Sequence, residues 1–149
     1  MLGHQGRAIR LSRDHRVEDP HETERIEQAG GFVFKGRTLG VLAVTRSLGD
    51  HCMKDFVIAR PFYNEITIEK EAAVQSVSSN NDHKNKSNNN LPPVLILACD
   101  GLWDVIQDQE AVDLALSYNG DKEDVAQLLV EEAMRRGSSD NITVIVAWL

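Results

Sequence analysis

Cysteine, aromatic side chains and long apolar runs are all scarce in this chain, and each scarcity removes a class of protein. The only cysteines are Cys52 and Cys99, too few for a disulfide framework and without the close spacing of a zinc site. A reducing compartment, the cytoplasm or the nucleus, is therefore expected. Aromatic residues make up 5% of the 149 residues, and acidic side chains outnumber basic ones 23 to 16. Such a surface has neither the positive field for nucleic acid nor any attraction for an anionic membrane. No apolar run approaches the roughly 20 residues needed to span a bilayer. The opening Met-Leu-Gly-His-Gln-Gly-Arg has no apolar h-region and places its Gly third. Neither a secretory signal nor a myristoylation motif is expected from it.

What remains is an ordinary globular balance, 42% apolar and 26% charged. A chain of this length buries about 70% of its unfolded surface, enough for one core. The net charge of -7 is spread unevenly: residues 1–60 hold 10 basic and 8 acidic side chains, residues 100–149 hold 3 and 11. Most carboxylates of the last third read as solvated helix surface. The informative ones stand at the ends of strands.

Gly6–Leu11 alternates like a strand. Asp19 then caps a helix, with Pro20 at its first position and Glu22 completing a capping box; Ile26 and Ala29 form part of its apolar stripe, and Gly30-Gly31 stops it. Phe32–Phe34 and Gly40–Val44 read as strands about a Gly36 turn, and Ile66–Ile68 as another. The Asn/Ser-rich tract at about 75–91 buries too little apolar surface to offset its ordering entropy, and a disordered surface insertion is expected there, with His83 solvated. Val94–Cys99 is an unbroken apolar run, the pattern of a strand buried on both faces. One helix is expected from Asp108 with Ala111, Val112, Ala115 and Leu116 inward. A second, capped by Asp121, buries Val125, Leu128, Leu129 and Ala133 and stops at Gly137. Ile142–Leu149 closes the chain as a core strand.

Asp100 follows the first of these apolar strands and Asp140 precedes the last. If the two strands are antiparallel neighbours, both carboxylates emerge at one end of the sheet. Two carboxylates at the rim of an apolar core repel each other unless one is protonated or a cation stands between them. Mg²⁺ and Mn²⁺ take such oxygens together with waters. The plainer alternative is that Asp-Gly forms a turn and that Asp140 is a loop residue beside Ser138-Ser139. Asp104 is either a third ligand or an early helix residue. An EF-hand is excluded, since no D-x-D-x-D-G pattern occurs.

The residues themselves say more than their spacing. Leu-Ala-Cys-Asp-Gly-Leu-Trp-Asp-Val (97–105), Leu-Ala-Val-Thr-Arg-Ser-Leu-Gly-Asp (42–50) and Gly-Ser-Ser-Asp-Asn-Ile-Thr-Val (137–144) closely resemble signatures of the protein phosphatase 2C family, the metal-dependent serine/threonine phosphatases. Leu-Ser-Arg-Asp-His (11–15), followed by Glu24-Arg25-Ile26 and Gly30-Gly31, is similar to the same family. The four stretches run in the family's order across nearly the whole chain, and the resemblance is close to fungal members.

The resemblance implies a two-metal site of Mg²⁺ or Mn²⁺ between two packed antiparallel sheets. There a metal-bridged water attacks the phosphorus of phosphoserine or phosphothreonine in line with the leaving oxygen. Carried over by motif, Asp100 and Asp140 would be ligands of one metal, and Asp104 would help hold a further, weaker ion. Arg46 and segment 37–50 would belong to a flap beside the substrate groove, or Arg46 forms a structural salt bridge, with Asp50 as the candidate partner. The partners implied are phosphoserine and phosphothreonine proteins, with no nucleic acid and no membrane, and a monomer when complete.

The family's first half has no counterpart here. Its early Glu-Asp pair, its Asp-Gly-His-Gly segment with the bridging aspartate, its phosphate-binding Arg and its Gly-Asp-Ser-Arg stretch are not in the sequence. The expected fold is α+β, part of an α-β-β-α sandwich of two antiparallel sheets flanked by helices, with the N-terminal portion missing. Residues 1–149 would be the C-terminal part of a single phosphatase domain, with sheet edges and apolar faces left open and little activity alone. The rival expectation is a non-catalytic regulatory or binding module that keeps the fold without the chemistry.

Overall fold

The computed structural model describes residues 1–68 and 91–149, so the Asn/Ser tract and His83 lie outside the described residues. It divides into two compact units, Met1–Leu11 with Ile66–Leu149, and Ser12–Glu65.

The first unit is built on a four-stranded antiparallel sheet whose strands lie in the order Arg7–Ile9, Leu2–His4, Val94–Ala98, Val144–Trp148. Strand β1 is Leu2–His4 and β2 is Arg7–Ile9. They form a hairpin closed by Gln5-Gly6, whose φ values of 51° and 74° are those of a two-residue hairpin turn. The lone strand expected from Gly6 is thus the second arm of a pair, and β1 was missed because three residues show no alternation. Strand β5, Val94–Ala98, pairs along its length with β6, Val144–Trp148, from Val94↔Trp148 to Ala98↔Val144.

Helix α3, Asp108–Ser117, and helix α4, Val125–Arg135, supply the helical part of the core. Between β5 and α3 lies a four-residue helix, α2, Asp100–Trp103. Val94, Ile96, Leu102, Ile106, Val112 and Leu129 are at most 1% exposed and belong to one core cluster. Burial of such a side chain stabilises by roughly 1.5–3 kcal/mol. The expected inward stripes hold for Ala111, Val112, Ala115, Val125, Leu129 and Ala133, while Leu116 and Leu128 are only half-buried. Gly3 sits under α3: a Cβ there would stand 2.7 Å from Val94 and 2.8 Å from Val112. Gly137, at φ 87°, ends α4 with Ser138 N–H returning to the Ala133 carbonyl. Arg136 binds Glu110 and Glu132, so two carboxylates expected to be merely solvated are paired, and the bond to Glu110 ties the end of α4 to α3.

The expectation that Val94–Cys99 is buried on both faces does not hold. Val94 and Ile96 are fully buried, but Leu97 is 51% exposed and its cross-strand partner Ile145 58%. Residues of α3 and α4 pack with Val94 and Ile96, and the alternate residues of the apolar run point away from that core.

In the second unit, α1 spans Pro20–Gln28 with Asp19 as N-cap, as expected, the Asp19 carboxylate accepting from His21 N–H. Its C-terminus closes with Gly30 at φ 84° and Gly31 N–H bonded to the Ile26 carbonyl. Ala29 is exposed, not part of the stripe. Strands β3, Val33–Phe34, and β4, Arg37–Thr38, make a small hairpin. Gly40–Val44 is not a strand: Leu39 and Gly40 take φ of 51° and 71°, and the Thr38 hydroxyl donates to the Val44 carbonyl, folding the segment into a loop. Ile66–Ile68, which belongs to the first unit, is likewise not a strand, and Ile66 is exposed.

Candidate metal centre

The antiparallel β5–β6 pairing brings Asp100 and Asp140 to one end of the sheet. Asp100 opens α2 two residues after β5 ends, and Asp140 stands four residues before β6 begins. Asp104 is the C-cap of α2, its N–H bonded to the Asp100 carbonyl at 2.8 Å. It is thus an end-of-helix residue one turn beyond Asp100. All three side chains belong to exposed residues, and Asp140 accepts from the Asn141 N–H at 2.7 Å.

Past the last ladder pair the two segments stay in contact. Cys99 N–H donates to the Thr143 carbonyl at 3.2 Å. The Cys99 thiol donates to the Asn141 carbonyl at 3.0 Å and accepts from Thr143 N–H at 3.3 Å. The Ser138 hydroxyl donates to the Gly101 carbonyl at 2.7 Å. Gly101 is required here, since a Cβ would fall 2.2 Å from the Asn141 carbonyl oxygen.

Carboxylate oxygens are the hard donors that Mg²⁺ and Mn²⁺ accept. Yet among the described residues no group of three or more His, Cys, Asp or Glu side chains could hold a metal ion. The described residues therefore offer two carboxylates at one sheet end and not a complete ligand set.

Arg46 lies in the second unit, where its role is set by Glu22. The Glu22 side chain is 3% exposed and accepts from Arg46 Nε at 2.9 Å and Nη2 at 2.5 Å, from the Thr45 hydroxyl at 2.7 Å and from Arg25 at 3.2 Å. These bonds, Arg46 foremost, hold the Glu22 carboxyl at about 2 against the penalty of burial. Arg46 also donates to the Arg60 carbonyl, and Arg25 to the carbonyls of Thr45 and Phe56. The salt bridge weighed for Arg46 is therefore present with Glu22, not Asp50, which takes the Ser47 hydroxyl instead. Glu22 is correspondingly not a capping-box residue, because its carboxylate faces the 45–46 segment. His15 joins the same segment through its carbonyl, which accepts from Thr45 N–H at 2.8 Å. Burial, and then the nearby Arg46 charge, lower the His15 pKa and favour a neutral imidazole.

The family model described as protein phosphatase 2C matches residues 1–142 of this chain. The chain belongs to the protein phosphatase 2C family. Two yeast relatives span it completely. "Protein phosphatase 2C homolog 1" of Saccharomyces cerevisiae is 40% identical over 149 residues, 100% of this chain and 46% of the relative. The protein of the same name in Schizosaccharomyces pombe is 44% identical over 149 residues, again 100% of this chain and 37% of the relative. The chain therefore spans less than half the length of either. Among solved structures, a phosphatase from a pathogenic strain of Toxoplasma gondii is 30% identical with a TM-score of 0.73, over 99% of this chain and 44% of that one. These neighbours share the α+β fold with antiparallel sheets.

Of the residues singled out from sequence, the fold brings Asp100 and Asp140 to one end of the sheet and leaves Asp104 a turn away, while Arg46 is spoken for by Glu22. Sequence reading missed Glu22 as a binding partner, and Cys99, Gly101 and Ser138 as the contacts between the aspartate-bearing segments. Each lies inside or beside a protein phosphatase 2C signature stretch. What the stretch cannot state is which atom meets which.

Proposed function

We propose that this chain is the C-terminal part of a metal-dependent protein serine/threonine phosphatase, acting on phosphoserine and phosphothreonine proteins in the cytoplasm or nucleus. The observation that supports it best is the convergence of Asp100 and Asp140 at one sheet end, within two stretches of family wording. Mg²⁺ or Mn²⁺ held there would supply the Lewis acidity that makes water nucleophilic near neutral pH and offsets phosphoryl charge. Asp100 and Asp140 each offer a carboxylate to one ion. Asp104, at the end of α2, offers one to a neighbouring position. Arg46, neutralised by Glu22, orders the 45–60 segment instead of supplying a free cation to a phosphate. The remaining ligands belong to the part of the domain that the relatives have and this sequence does not include.

Calorimetry with Mn²⁺ and release of phosphate from a phosphothreonine peptide test this together. The expected result is weak Mn²⁺ binding that Asp100→Asn and Asp140→Asn each abolish, with little turnover by the 149-residue chain. Binding that both variants retain would overturn the metal assignment. Turnover equal to that of a complete relative would overturn the incomplete site. No Mn²⁺ binding at all would favour a non-catalytic module.

A further inference from the structure

The β5–β6 ladder ends at Ala98↔Val144, yet Asp100 lies two residues past that end and Asp140 four residues before it. Nothing in regular pairing fixes one relative to the other.

Contacts past the end of the ladder do so instead. The Cys99 thiol bridges Asn141 and Thr143 as donor to one and acceptor from the other, at 3.0 and 3.3 Å. Cys99 N–H bonds the Thr143 carbonyl at 3.2 Å. The Ser138 hydroxyl reaches the Gly101 carbonyl at 2.7 Å. Gly101, lacking Cβ, lets the Asn141 backbone close onto α2. These contacts alternate with the aspartates along both segments: Cys99 and Gly101 flank Asp100, while Ser138 and Asn141 flank Asp140.

We infer that Cys99 and Ser138 are positioning residues, which carry the strand pairing past its end and fix Asp100 against Asp140 so that both reach one cation. Cys99 is a thiol used in two hydrogen bonds, so a hydroxyl of similar shape can replace it and a methyl cannot. The inference rests on the reading of Asp100 and Asp140 as metal ligands, and the experiment separates the two.

The uniformly ¹⁵N-labelled 149-residue chain is exposed to increasing Mn²⁺ while paramagnetic broadening of the Asp100 and Asp140 amides is followed. In the parent both amides are expected to broaden together at one Mn²⁺ concentration. In Ser138→Ala and in Cys99→Ala that concentration rises about fivefold, the equivalent of one lost hydrogen bond, and the two amides no longer broaden in parallel. Urea midpoints of α3 and α4 amides stay near the parent, and Cys99→Ser restores the parent response. Parent-like broadening in both alanine variants overturns the positioning role and leaves the metal reading standing. So does a loss that merely follows the urea midpoints and that Cys99→Ser does not rescue. Absence of broadening at either aspartate in the parent overturns the metal reading, and the positioning role with it.

Discussion

Replacing Glu22 by Gln removes one charge from a side chain that accepts four hydrogen bonds in the second unit. The Glu22 carboxylate is 3% exposed and takes hydrogen bonds from Arg46, Thr45 and Arg25. Its carboxyl is lowered from 4.5 to about 2, chiefly by Arg46, with burial opposing. A native pKa below the unfolded one means that the unfolded chain binds more protons between the two values. Glu22 therefore contributes its full stability above about pH 5, and that stability fades as pH falls toward 2. At 1.36 kcal/mol per pH unit the contribution is on the order of 3 kcal/mol. About 1.4 kcal/mol of it is gone by pH 3.5, one unit below the unfolded value. Gln keeps the shape and one acceptor but leaves two half-buried guanidinium groups without their counter-charge.

The variant should thus lose about 3 kcal/mol at pH 7, within the range found when one partner of a buried pair is removed. The gap to the parent should narrow at pH 3.5. Trp103 and Trp148 both lie in the first unit, so their fluorescence does not report directly on α1. Urea unfolding followed on the backbone amides of α1 reads the right unit. Equal midpoints at pH 7, or a difference that does not shrink as pH falls, would refute the reasoning.

Two further outcomes are expected. Gly101→Ala places a Cβ 2.2 Å from a backbone oxygen that cannot move aside cheaply; it should cost at least about 2 kcal/mol in urea unfolding read by tryptophan fluorescence, and a cost below about 0.5 kcal/mol would contradict the packing. Leu97→Lys with Ile145→Glu replaces an exposed apolar cross-strand pair by an ion pair; stability of the 149-residue chain should stay within about 0.5 kcal/mol and binding of an apolar dye should fall, whereas a large loss would show that this face is covered.

Much of the local architecture was legible because its signals act over a few residues. Asp19-Pro20 opens α1, and Gly30 and Gly137 end α1 and α4, since each solves a backbone problem at its own position. Helical spacing alone picks out six buried positions of α3 and α4, while Leu116 and Leu128, expected with them, are half-buried. The joint placement of Asp100 and Asp140 followed from one topological condition, antiparallel neighbouring strands, which β5 and β6 meet. The failures share a cause. Gly40–Val44 is apolar enough for a strand but meets β4 at an isolated Thr38↔Leu42 bridge and no ladder, because Leu39-Gly40 turns it into a loop. Leu2–His4 is too short to show a period and becomes a strand because Arg7–Ile9 folds back onto it.

The sequence by itself determined where helices start and stop, which helical faces are apolar, and which family's residues recur in order. Only the tertiary structure decided that Glu22 serves Arg46 and not its own helix cap, that Cys99 and Ser138 join the aspartate-bearing segments, and that Leu97 of β5 is exposed while Ile96 is buried. Caps and periodicities are settled by residues within a turn of one another. A carboxylate's counter-ion, a thiol's acceptor and the cover over a sheet come from residues tens of positions away, whose approach the folded chain alone creates.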